Sequence, residues 1–106
     1  MAEVIRISPK EVSKKVTSGA AFLVCAYDDE KKFKQFHLEG AISLSEFQLK
    51  LPFLNKDHEI IFYCAWPKEG TAAGQAEKYA KEGFKNVMIL DKGVEGWEKA
   101  GYPLVE

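Results

Sequence analysis

Five short apolar runs are spaced along this chain, and the stretches between them carry helical rather than strand spacing. That alternation narrows the possible folds more than any other feature. The runs cover residues 4–7, 21–25, 40–44, 60–63 and 87–90. Each is strand-length, and most are apolar at consecutive positions instead of every second one. A strand that is apolar on both sides is buried on both sides, which is the condition of a parallel sheet. The intervening segments supply the covers. Ser8, Pro9 and Glu11 form a helix start, with Ser8 as N-cap, Pro9 in the first turn and Glu11 completing a capping box. That helix presents Val12 and Val16 on one face and stops at Gly19. Asp28 and Asp29 cap a short helix over 30–35 whose Phe33 and Phe36 face inward. Residues 45–51 predict one or two more helical turns, ended by Pro52. An alanine-rich helix over 71–82 has Ala72, Ala73, Ala76, Tyr79 and Ala80 as its apolar face and Gly83 as its cap. A last helix over 93–100 anchors on Val94 and Trp97 and ends at Gly101. The expectation is an α/β fold: a five-stranded, mostly parallel sheet with helices on both faces.

Composition excludes several function classes. A chain of 106 residues is the size of one domain, read here as spanning 1–106. The formal charge of −1 gives no electrostatic reason to expect nucleic acid or an anionic membrane as partner. No apolar run approaches the ~20 residues that span a bilayer. The first residues lack the basic and apolar regions of a signal peptide, so a cytoplasmic location is expected. Two cysteines in such a setting are expected to be free or redox-active sooner than joined in a structural disulfide. There is no Cys-x-x-Cys, and His37 and His58 stand apart, so no zinc site is visible.

Cys64 is the candidate nucleophile. It ends the buried run Ile60-Ile61-Phe62-Tyr63, and Ala65-Trp66-Pro67-Lys68-Glu69-Gly70 cannot continue a strand, because Pro67 has no N–H and Gly70 is a breaker. A helix follows. A thiol between a buried strand and a helix N-terminus sits where amides converge and the dipole is positive, conditions that favour the thiolate. The alternative is a cysteine that only fills space at a strand end.

Several landmarks, in order, resemble the rhodanese-like domain from Ile7 onward. Ile7-Ser8-Pro9-Lys10-Glu11-Val12 is similar to the family's first helix. Phe36-His37-Leu38-Glu39-Gly40-Ala41-Ile42 resembles its Gly-His-Ile-Pro-Gly-Ala-Ile signature. Ile60-Ile61-Phe62-Tyr63-Cys64 resembles the strand that delivers the active-site cysteine. Gly83-Phe84-Lys85-Asn86-Val87 and the run from Lys92 through Trp97 to Gly101-Tyr102-Pro103 are similar to its closing strand and helix. The resemblance implies sulfur transfer without metal or organic cofactor. A cysteine, here Cys64, takes a sulfane sulfur from a donor such as thiosulfate and passes it to a thiophile. The loop of Ala65, Trp66, Pro67, Lys68, Glu69, Gly70 and Thr71 would hold the substrate anion, so the implied partners are a small sulfur-containing anion or a protein thiol.

Departures from the family pattern keep other readings open. The arginine that usually closes the loop is absent: Glu69 stands at its place, and Gly70 where the related phosphatases carry theirs. Lys68 is the one cation of the loop, either an anion contact or a solvated side chain. The absent arginine leaves two alternatives, a non-catalytic module that binds a partner protein and a thiol redox switch. Cys25-Ala26-Tyr27 replaces the family's usual Asp-Val-Arg. Cys25 is the candidate resolving thiol if its strand neighbours the Ile60 strand; otherwise it is apolar filler. The resemblance gives His37 a structural part. Trp66 is open between pocket wall, docking surface and core.

Overall fold

The computed structural model describes residues 5–19, 21–26, 37–38, 40–63, 70–90, 93–102 and 104–105. Its elements are β1 (Ile5–Ile7), α1 (Pro9–Thr17), β2 (Ala21–Cys25), β3 (His37–Leu38), β4 (Ala41–Ile42), α2 (Leu44–Lys50), a 3₁₀ turn (Leu51–Phe53), β5 (Glu59–Tyr63), α3 (Gly70–Lys81), β6 (Val87–Leu90), α4 (Gly93–Lys99) and β7 (Leu104–Val105). Five strands form one sheet in the order β1-β6-β5-β2-β4, and every neighbouring pair is parallel. The expected α/β architecture is the one observed.

The period of two along each strand divides the core. From β2, Leu23 and Cys25 turn to one face and Val24 to the other; from β5, Ile61 and Tyr63 oppose Ile60 and Phe62. On the first face these residues meet Val12 of α1 and Trp97 of α4. On the second they meet Leu44 and Phe47 of α2, and Ala76 and Tyr79 of α3. Both faces are therefore dry, as consecutive apolar positions require. At about 25 cal/mol per Å² of apolar surface removed from water, burial of this kind is the main force holding the sheet between its helices.

Local chemistry sets the helix starts. The Ser8 hydroxyl accepts the Glu11 N–H at 3.3 Å, with Pro9 in the first turn, so the expected cap of α1 is present. Val12 is fully buried and Val16 packs beside it. The strand expected over 40–44 is shorter than its apolar character suggests. Ser43 has extended backbone angles and its hydroxyl accepts the Glu46 N–H at 3.1 Å, so it caps α2 and leaves only Ala41–Ile42 in the sheet. Gly40 turns the chain into β4 with φ +84°, and a Cβ there would lie 2.6 Å from Val16 Cγ1. Pro52 sits inside the 3₁₀ turn that carries α2 onward, where a missing N–H costs little. The antiparallel ribbon pairing His37 with Val105 and Leu38 with Leu104 has no counterpart in the periodicity, because two-residue strands are too short to show one. The helix expected over 30–35, with Phe33 and Phe36, lies outside the described residues.

Candidate active site

The strand order has one topological switch point. From β2 the chain next joins the sheet at β4, on one side; from β5 it next joins at β6, on the other. Connections leaving two adjacent parallel strands in opposite directions open a cleft above their carboxyl ends, where open α/β sheets bind ligands. The two strands are β2, ending at Cys25, and β5, ending at Tyr63.

Their ends are held together tightly. Cys25 is the register partner of Tyr63, and the pairing continues one residue further, where the Ala26 N–H donates to the Tyr63 carbonyl at 2.8 Å. Register partners on adjacent strands share a face, and both side chains sit in the cluster with Val12, Leu38, Leu90 and Trp97. Cys25 is 4% exposed and Tyr63 1%. From Tyr63 the chain enters residues 64–69, and it re-emerges at Gly70 as the first residue of α3. This helix has 12 residues, so its free N-terminal amides and the positive end of its dipole face the segment that precedes it.

Of the residues singled out in the sequence, Cys64, Ala65, Trp66, Pro67, Lys68 and Glu69 lie outside the described residues. Gly70 and Thr71 contribute their backbone to the first turn of α3. Cys25 occupies the carboxyl end of β2, beside the strand that leads into Cys64, so the neighbouring of strands that the sequence left as a condition is met. His37 is half-buried in the ribbon paired to Val105, a position suited to holding that ribbon. Trp97 is buried, in tilted contact with Tyr102 at 4.8 Å between centroids. Two residues gain importance only in three dimensions. Tyr63 reads as the last apolar residue of a strand and Ala26 as filler, and no sequence signal announces that their backbones pair. Among the described residues no group of three His, Cys, Asp or Glu side chains is placed to hold a metal ion. Nor is any described helix long and apolar enough to cross a membrane.

The family model of the rhodanese-like domain matches residues 8–100. The chain belongs to the rhodanese-like domain family. One curated relative is arsenate reductase 2.1 of Oryza sativa subsp. japonica, 32% identical over 90 residues. That alignment covers 72% of this chain and 56% of the rice protein, so the chain spans little more than half of that relative. Among solved structures, the thiosulfate sulfurtransferase of Pseudomonas aeruginosa superposes with a TM-score of 0.82 at 23% identity, over 97% of this chain and 20% of that one. The Alr3790 protein of Anabaena superposes with a TM-score of 0.80 at 18% identity, over 93% and 90%. At these identities the likeness to the solved structures is one of fold.

Proposed function

We propose that this rhodanese-like domain is a sulfurtransferase that carries a sulfane sulfur on Cys64. The observation that carries this reading is the switch point between β2 and β5: the chain enters the segment holding Cys64 from the buried end of β5 and leaves it into the N-terminus of α3. The thiolate of Cys64 attacks the sulfane sulfur of thiosulfate or a similar donor. The donor's sulfur–sulfur bond breaks, sulfite leaves with the electron pair, and Cys64 becomes a persulfide. The amides of the loop and of the first turn of α3 stabilise both the leaving anion and the persulfide. A thiophile then removes the terminal sulfur and restores the thiolate.

The test is direct. Incubation with thiosulfate adds one sulfur by intact mass spectrometry, the adduct maps to Cys64, and Cys64→Ser abolishes it. A wild-type protein that gains no sulfur on Cys64 sinks the reading. With Lys68 as the only cation of the loop and Glu69 repelling an anion, thiosulfate binds weakly, and Glu69→Arg or Gly70→Arg improves its use. The name of the rice relative supports a second reading, reduction of an oxyanion such as arsenate. Against it stands the loop itself, which offers no guanidinium to clamp a tetrahedral oxyanion. Formation of arsenite from arsenate and glutathione, lost in Cys64→Ser, is the outcome that reverses this preference.

A further inference from the structure

We propose that the surface cavity between α1 and the chain that follows α4 is a binding site for a small aromatic phosphate monoester. The described residues that line it come from α1, from Ser18 at its end and from Tyr102, so the proposal stands apart from the sulfur-transfer reading of Cys64.

The chemistry of the walls is one-sided. The cavity offers about 410 Å³, and its described lining residues are Lys10, Ser13, Lys14, Thr17, Ser18 and Tyr102. Sites for small ligands run from about 300 to 1,000 Å³. Each of these side chains can donate a hydrogen bond, and none is a carboxylate. Ser18 donates its hydroxyl proton to the Lys15 carbonyl at 3.0 Å, so the hydroxyl donors for a ligand are Ser13, Thr17 and Tyr102. Lys10 and Lys14 stand about one helical turn apart, with Cβ atoms about 5–6 Å from each other, so two flexible ammonium groups can meet on one anion. A phosphate monoester carries about −1.5 to −2 at pH 7 and matches that pair of cations.

Folding accounts for the other faces of α1 but not for this one. Val12 is buried, Val16 packs beside it, and Lys15 pairs with Glu59 at 2.6 Å. Lys14, in the last turn, suits the negative end of the helix dipole. Lys10 does not. It is the second residue of α1, where the dipole is positive and a cation is unfavourable. Both lysines are exposed, and neither makes an ion pair among the described residues. An anion held between them removes the repulsion that Lys10 otherwise meets.

Tyr102 supplies the reason for an aromatic body. It is half-buried, its N–H donates to the Trp97 carbonyl at 3.2 Å, and its ring rests against buried Trp97 at 4.8 Å between centroids. The ring is therefore a wall fixed before any ligand arrives, which lowers the ordering cost of binding. A planar group stacks on such a ring while its phosphate reaches the lysines of α1.

The experiment titrates the full chain with phenyl phosphate and, in parallel, with inorganic phosphate, followed by two-dimensional amide NMR and by calorimetry. Phenyl phosphate should saturate, shift the amides of α1 and Tyr102 together with the Trp97 indole N–H, and bind more tightly than inorganic phosphate. The double variant Lys10→Ala/Lys14→Ala should weaken it about tenfold, the size expected for two exposed charge contacts, and added salt should weaken wild-type binding. Tyr102→Leu should weaken phenyl phosphate but leave inorganic phosphate unchanged. Cys64→Ser should bind both probes as wild type does. Binding that survives the double lysine substitution and disappears in Cys64→Ser puts the anion in the segment before α3, and overturns the proposal while leaving sulfur transfer intact. Equal affinity for the two probes, unaltered by Tyr102→Leu, overturns it in favour of a bare anion contact. No saturable binding of phenyl phosphate overturns it outright. Because Lys10 and Lys14 are exposed, the lysine arm decides the matter even where Tyr102→Leu folds poorly.

Discussion

The two faces of the sheet are equally dry but built from different materials. Under α2 and α3 the core is an interlocked set of rings. Phe47 meets Phe62 and Tyr79 edge-on at 5.6 and 5.2 Å, Phe62 and Tyr79 stack at 5.7 Å with planes 12° apart, and Phe84 closes the set on Tyr79 at 6.1 Å. The ammonium of Lys56 lies 4.1 Å from the centre of the Phe84 ring. Aromatic pairs of this kind contribute about 0.5–1.5 kcal/mol each beyond the area they bury. Under α1 and α4 the core is mostly aliphatic, with Val12, Leu23, Leu38, Ile61 and Leu90 around Cys25, Tyr63 and Trp97. The first face is committed to rigidity, since each ring constrains the next. The second contains the one described thiol, Cys25, at the carboxyl end of β2. The aromatic packing and the strand ends that lead into the proposed site thus fall on different parts of one sheet, so on the proposed reading changes that cost stability need not touch sulfur uptake.

The largest test of that separation is Phe47→Ala. It empties the centre of the aromatic set and should cost about 3–5 kcal/mol in urea unfolding, with sulfur uptake per folded molecule unchanged. A cost below about 1 kcal/mol would falsify the claim that the rings interlock, because the cavity would then have collapsed freely. On the other face, Gly40→Ala should cost about 1–3 kcal/mol through two causes, the left-handed backbone and the contact with Val16 Cγ1. Adding Val16→Ala removes the steric cause but not the backbone one. The double variant should therefore be more stable than the sum of the two single losses implies, and simple additivity would mean that the steric contact does not matter.

The caps compare the faces with chemistry held constant. Ser43 starts α2 on the aromatic side and Ser8 starts α1 on the aliphatic side, both through a hydroxyl accepting the N–H three residues on. Each Ser→Ala change should cost about 1 kcal/mol, with Ser8 the smaller because its bond is longer, 3.3 against 3.1 Å. The reverse order would show that neighbouring packing, and not the cap bond, sets the cost. The smallest effect belongs to the ion pair of Lys15 with Glu59, which ties α1 to the start of β5 at 2.6 Å. Both side chains are about 30% exposed, so a double-mutant cycle should give no more than about 1 kcal/mol, fading as salt is added. A larger, salt-independent coupling would make it part of the core.

Much of this architecture was legible along the chain. The consecutive apolar residues of β2, β5 and β6 require burial on two sides, and only a parallel sheet between helix layers supplies it. The Ser8-Pro9-Lys10-Glu11 start and the ends of α1 and α3 near Gly19 and Gly83 are set by nearest-neighbour chemistry, so the sequence determined them alone. Local reading was misled at 40–44, where apolar content suggested a strand but the cap bond of Ser43 took the backbone for α2. The pairing of His37–Leu38 with Leu104–Val105 was invisible because it joins segments far apart in the chain. Position and residue type named Cys64 and Cys25, the first as a strand-end thiol and the second as a cysteine in an unusual place. What they could not decide was which strands adjoin and in what register, because strand order comes from packing among distant helices and not from any property of one strand. That order alone sets Cys25 beside Tyr63 and puts the switch point of the sheet between their strands.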